Sequence, residues 1–234
     1  MSTGVVVTHA HRTAVGKSGR GTLRETRPDE LLGRLIETFM GRVPALDPGD
    51  VDDVIVGCAF PEAEQGMNVA RIAALRAGLP VSVPGMTLNR FCSSGLQSLA
   101  TGAAQIGAGW SKVVITGGVE SMSLVPMGGQ KPAPNPALVQ SFPASYDSMG
   151  ITSETVAERY DVSREDQDAF AVESNRRAIA AIEEGRFKDE IIPIEVTLGG
   201  KQVIFDTDEG PRESTVEGLS KLRPVFKVDG RSTA

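Results

Sequence analysis

The feature that most constrains this chain is the alternation of short apolar runs with amphipathic stretches through its first half. VDDVIVGCAF (51–60) reads as a buried strand, GMTLNR (85–90) as a second and KVVITGG (112–118) as a third. Between them, NVARIAALRAG (68–78) is a helix stopped by Gly78 and Pro80, and a further helix is expected from about Ser93 to Ala108. Upstream, VVVTH (5–9) is a short β-branched run expected as a strand. DELLGRLIETFMGRV (29–43) places Leu31, Leu32, Leu35, Ile36, Phe39, Met40 and Val43 on one apolar stripe, with Pro28 just before or inside its first turn. Strands apolar along their whole length and separated by helices imply a parallel sheet covered on both faces. Residues 1–120 therefore read as an α/β core.

The pattern changes after Glu120. Residues 126–143 hold five of the fourteen prolines and read as a loop with no core of its own. ITSETVAERYDV and SREDQDAFAVESNRRAIAAIEEGRF read as helices; the second opens on a capping box, Ser163 with Asp166, and Gly185 marks its end. EIIPIEV (190–196) and QVIFD (202–206) read as strands, and TVEGLSKL as a short helix. Residues 121–234 are thus expected to form a mixed α/β subdomain that ends with the start of the return to the core.

Composition narrows the function. With 40% hydrophobic and 23% charged residues, the 234-residue chain has the balance of a globular domain with a sizeable core. A net charge of −6 argues against nucleic acid as the main partner, though not against a small anionic ligand met by a local basic patch. Two cysteines, Cys58 and Cys92, give no disulfide framework and point to a reducing compartment. The opening MSTGVVVTHAHRTAVGK has no long apolar core and no segment has the run a membrane span needs, so neither a signal peptide nor a membrane partner is expected, and the location expected is cytoplasmic.

Cys92 stands between an expected strand and an expected helix, followed by Ser93, Ser94 and Gly95. A thiol at a helix amino terminus is favoured as thiolate by the helix dipole, and three small neighbours leave room for another molecule to approach. Its own backbone N–H is placed to stabilise an oxyanion. In open parallel sheets, ligands sit beyond the carboxyl ends of strands, where this cysteine falls. Two readings stand on these grounds, a nucleophile or a buried structural cysteine, since free cysteine is among the most buried residue types. Cys58, inside VIVGCAF, reads as a small core residue.

The residues Asn89, Arg90, Cys92, Ser93, Ser94, Gly95, Leu96 and Gln97 resemble the nucleophile motif of the thiolase family. RTAVGK (12–17), RPDELLG (27–33), VDDVIVGCA (51–59), NVARIAALRAGLPVSVPG (68–85), GGVESMSLVPMGG (117–129), MGITSETVAERYDVSREDQDAFAVESNRRA (149–178), GRFKDEIIPI (185–194) and KLRPVFKVDG (221–230) resemble thiolases in the same order. The resemblance implies a thiolase-like fold: the N-terminal half of an αβαβα layered sandwich, with 121–234 as a loop subdomain that holds coenzyme A (CoA). It implies that Cys92 attacks the 3-keto carbon of a 3-ketoacyl-CoA and carries the acyl group to CoA, which is a substrate rather than a cofactor. CSSG and MGITSE are most similar to degradative 3-ketoacyl-CoA thiolases; a biosynthetic acetoacetyl-CoA thiolase and a catalytically incomplete CoA- or subunit-binding fragment are the alternatives. Met149, Arg212 and Phe226 match residues beside the pantetheine, the nucleotide end and the adenine, whereas Ser148 stands where many thiolases have histidine. Arg212, Lys221, Arg223, Lys227 and Arg231 outnumber Glu213, Glu217 and Asp229 in this region, a small positive excess that suits phosphates but is also what ordinary solvated charges give.

The family's Gly-His-Pro, Cys-x-Gly and Asn-Glu-Ala-Phe motifs do not occur in the chain, and His9 and His11 match none of them. The sequence ends at GRSTA, where the family continues into a second core half. The expectation is that this C-terminal half is the missing partner, that the chain alone is inactive and poorly soluble, and that family members pair as a homodimer or a dimer of dimers. GKS (16–18) lacks the first glycine of a phosphate loop, DPGDVDD (47–53) lacks calcium-loop spacing, and His9 with His11 has no third metal ligand near in sequence.

Overall fold

In the computed structural model, which describes residues 4–233, the centre of the first half is β1 (Asp53–Gly57). The signal-peptide reading of the opening stretch falls partly outside the described residues, as does the last residue of GRSTA. Val54, Ile55 and Val56 of β1 are all inaccessible to solvent, as a strand covered on both faces requires. β1 is paired in parallel with β2 (Gly85–Leu88) on one side and β3 (Val114–Gly118) on the other, with Val54 opposite both Gly85 and Ile115. Val54 and Val56 pack into one core with Leu32 and Ile36 of α1 (Pro28–Gly41) and with Val69, Ala70, Ala73 and Ala74 of α2 (Val69–Arg76). Ile55 and Gly57 alternate to the other face, where α3 (Ser94–Gly107) lies.

That helix is seated through small residues. Ser94, Ser98 and Gly102, four apart, are its buried positions, and the Ser98 hydroxyl donates to the carbonyls of Gly95 at 2.7 Å and Gly117 at 2.8 Å. A Cβ on Gly57 would overlap the Ser94 carbonyl carbon and the Gly95 nitrogen, so the glycine sets how closely helix and strand approach. Leu96 and Leu99 point away, Leu96 being 72% exposed.

The chain divides into two compact units. It leaves the first after Lys131 and returns to it over Lys188–Glu209, which differs from the boundary near residue 120 expected above. The return is anchored by a parallel bridge between Arg12 and Ile191, by the Arg12 guanidinium on Asp208 (2.7 and 3.0 Å) and Glu190 (2.6 Å), and by the buried side chains of Ile192 and Ile194. The antiparallel hairpin β4 (Ile194–Leu198) and β5 (Lys201–Phe205) belongs to this unit. The run at 5–9 forms no strand: Val6 is 73% exposed, and β-branched residues form a ladder only where a neighbouring strand is available.

The second unit comprises Pro132–Phe187 and the segment from Gly210 on. The expected loop contains a short helix, α4 (Pro136–Ser141), because the Asn135 side chain accepts from the N–H groups of Ala137 and Leu138. α5 (Met149–Arg159) follows, then α6 (Arg164–Glu183), which opens on the expected Ser163–Asp166 capping box, and later α7 (Val216–Ser220). Buried Glu154 of α5 accepts from the backbone N–H groups of Arg231 and Ser232, fixing the terminal segment to this helix. Arg164 bridges Asp168 to the carbonyls of Leu219 and Leu222. No described helix is long and apolar enough to cross a membrane.

Candidate active site

β2 ends at Leu88 and α3 begins at Ser94, one residue later than the sequence suggests; the five residues between build the site. Asn89 donates from Nδ2 to the Ala59 carbonyl at 2.9 Å and accepts from the Phe91 N–H on Oδ1 at 2.8 Å. Phe91, with φ at +49°, lies in the left-handed region that non-glycine residues rarely occupy. Phe91, Cys92 and Ser93 then form a single 3₁₀ turn leading into the helix. Ser94 closes this turn: its hydroxyl accepts from the Arg90 N–H at 2.8 Å and donates to the Phe91 carbonyl at 2.6 Å. Cys92 is exposed, in contrast to the buried Cys58. The turn carries it beyond the carboxyl end of a parallel strand, where such sheets place ligands.

Cys58 behaves differently. It follows β1 and is buried; burial and the neighbouring negative charge of Glu120 push its thiol up to about 12, so it stays protonated. Below the site, Glu120 accepts from the Ala59 N–H at 2.7 Å and from Gln65 Nε2. Gln65, wholly buried, also donates to the Phe60 carbonyl and accepts from the Ser121 N–H, so the loops that follow β1 and β3 are tied together. Phe60 and Phe91 rings meet at 6.0 Å in a tilted pair beside the turn. Both histidine rings lie against Phe39 of α1, His9 at 5.9 Å and His11 at 6.0 Å. An attack by Cys92 needs a group that accepts its proton.

In the second unit, Met149 is the first residue of α5, and Ser148, in the place of the family's histidine, is the residue that caps that helix. The Phe226 ring lies on Gly150, where any Cβ would overlap it, so Met149 and Phe226 share one neighbourhood. Arg212 is exposed, and its backbone N–H donates to Asn175 of α6 at 3.0 Å. No hydrogen bond joins it to Met149 or Phe226 among the described residues. Sequence reasoning assigns no role to Gln65 or Glu120. A polar residue inside a core must be paired, but burial is not visible in a sequence.

Residues 5–234 match the thiolase N-terminal domain. The chain is 50% identical over its whole length to a 3-ketoacyl-CoA thiolase of Bacillus subtilis, covering 62% of that protein. It is 45% identical over 98% of its length to the peroxisomal 3-ketoacyl-CoA thiolase 5 of Arabidopsis thaliana, covering 52% of it, and 46% identical over 98% of its length to an acetyl-CoA acetyltransferase of Pseudomonas aeruginosa, covering 61%. The crystal structure of the Bacillus anthracis acetyl-CoA acetyltransferase superposes with a TM-score of 0.83 at 38% identity, over 97% of this chain and 60% of that one. The chain thus spans half to three-fifths of the relatives it matches. An exposed cysteine on the turn between a parallel strand and a close-seated helix now has its context: the chain belongs to the thiolase family, whose N-terminal domain it comprises.

Proposed function

We propose that the protein is an acyltransferase that cleaves 3-ketoacyl-CoA with CoA, giving acyl-CoA and acetyl-CoA, as in fatty-acid β-oxidation. The Cys92 thiolate adds to the C3 carbonyl. The tetrahedral adduct collapses with rupture of the C2–C3 bond, whose electron pair leaves on C2 of acetyl-CoA and is protonated there. The acyl group remains on sulfur as a thioester, and a CoA thiolate then takes it and frees Cys92. The acid and base for these transfers come from a C-terminal half like that of the longer relatives. CoA is a substrate, and no metal or further cofactor is needed. Met149 and Phe226 meet the pantetheine and adenine, and Arg212 the phosphates, by a charge-assisted contact. The protein acts as a homo-oligomer in the cytoplasm.

The observation that supports this reading best is the exposure of Cys92, in contrast to Cys58, which is held protonated in the core. A brief exposure to acetoacetyl-CoA followed by mass spectrometry tests it. An acetyl adduct is expected on Cys92, none on Cys58 and none in Cys92→Ala; an unmodified Cys92 in the full-length protein would overturn it. Because one relative is named an acetyl-CoA acetyltransferase, acetoacetyl-CoA itself is a second substrate reading. Turnover compared across 3-ketoacyl chain lengths separates the two, a rise beyond four carbons supporting the degradative one.

A further inference from the structure

The turn that carries Cys92 is held in a conformation its residues do not favour. Four of the six non-glycine residues with positive φ among those described, Ala63, Met67, Asn68 and Phe91, lie on the loops that follow β1 and β2. Such backbone persists only where its surroundings over-determine it, and it gathers at functional sites. At Phe91 the determining group is visible. The Asn89 amide spans the gap, donating to Ala59 on one loop and accepting the Phe91 N–H on the other. Among the described residues no second side chain makes both contacts, and the Phe91 ring is 63% exposed, so ring burial is a weak alternative hold.

We propose that Asn89 is a positioning residue for the nucleophile. Its side-chain amide latches Phe91 in the left-handed region and so directs Cys92 toward the carbonyl it attacks. This rests on the reading of Cys92 as the acyl carrier. Without the latch, Phe91 relaxes to ordinary backbone, because the left-handed conformation disfavours a residue with a Cβ by roughly tenfold. Glycine at 91 bears no such cost and restores the turn without the latch.

The test compares wild type, Asn89→Ala, and Asn89→Ala combined with Phe91→Gly in the full-length protein. Three quantities are read: kcat and KM for acetoacetyl-CoA thiolysis, the iodoacetamide labelling rate of Cys92, and labelling of Cys58 as a monitor of the fold. Asn89→Ala is expected to lower kcat about tenfold, with KM within twofold and Cys92 labelling within threefold, while Cys58 stays unlabelled. The double variant is expected to recover most of kcat. Unchanged kcat in Asn89→Ala, or no recovery in the double variant with Cys58 still protected, overturns the latch while leaving the acyl carrier in place. Should Asn89→Ala expose Cys58, the single variant Phe91→Gly decides: retained kcat supports the latch, and a tenfold loss overturns it. A wild type that labels with iodoacetamide yet never acylates at Cys92 overturns the carrier and this proposal together.

Discussion

At the scale of single residues, the two cysteines show how environment separates identical groups. Cys58 is buried beside a carboxylate and Cys92 is solvent-exposed. In the native protein, iodoacetamide is expected to label Cys92 alone, with Cys58 joining only under denaturant, as peptide mapping would show. Glu120 matters through what it satisfies. Glu120→Ala leaves the Ala59 N–H without a partner and deprives buried Gln65 of one acceptor, so a loss of about 1–3 kcal/mol in urea denaturation is expected. Glu30 gives the pH dependence. Hydrogen bonding from Arg76, opposed by burial and joined by Arg34, holds its carboxyl at about 2, against an ordinary value of 4.5. A depressed folded-state value means that the unfolded chain takes up the proton first. The stabilisation is complete above about 4.5 and fades as the pH falls toward 2. Its side chain is one-third exposed, so the pairing contributes on the order of 1 kcal/mol. Glu30→Gln is expected to lower Tm at pH 7, and the gap from wild type to narrow between pH 5 and pH 3.

Among the elements, α3 is seated the opposite way to a simple amphipathic helix. Its small residues face the sheet and its leucines face outward. Close approach replaces side-chain interdigitation, so the contact cannot take an added methyl. Gly57→Ala is expected to cost roughly 3 kcal/mol or more and to move the start of α3, and with it the cysteine turn. Thermal denaturation and the Cys92 labelling rate would both register this. The sequence pattern located α3 to within a residue, because the alternation of apolar runs with helical stretches is a local property of the chain. It did not show the 3₁₀ turn at Phe91–Ser93, since that turn depends on Asn89 reaching a different loop. The short helix at Pro136–Ser141 escaped for a related reason: one Asn side chain at its start outweighs a proline-rich composition.

For the whole molecule, the outward face of α3 and the exposed run at Val5–Val7 are apolar surfaces that water does not favour. If the second core half covers α3, Leu96→Lys with Leu99→Lys should raise the fraction of the 234-residue chain that elutes as monomer. In a form joined to a second core half like that of the longer relatives, the same pair should be destabilising, because the charges would then be buried. Gel filtration and Tm measured on both forms check this. Thiolysis by the 234-residue chain alone is expected to be undetectable, and to appear when the C-terminal half is supplied in trans.

Sequence alone determined the parallel α/β core, most of its helices and the place of Cys92 between a strand and a helix. These depend on hydrophobic period and on residue type, which are properties of neighbours along the chain. Only the tertiary structure decided that 188–209 returns to the first unit, that the run at 5–9 lacks a ladder, and that Asn89, Gln65 and Glu120 link the loops that follow the three strands. Each of those outcomes turns on a contact between segments far apart in sequence, where burial and hydrogen-bond geometry exist only once the chain has folded.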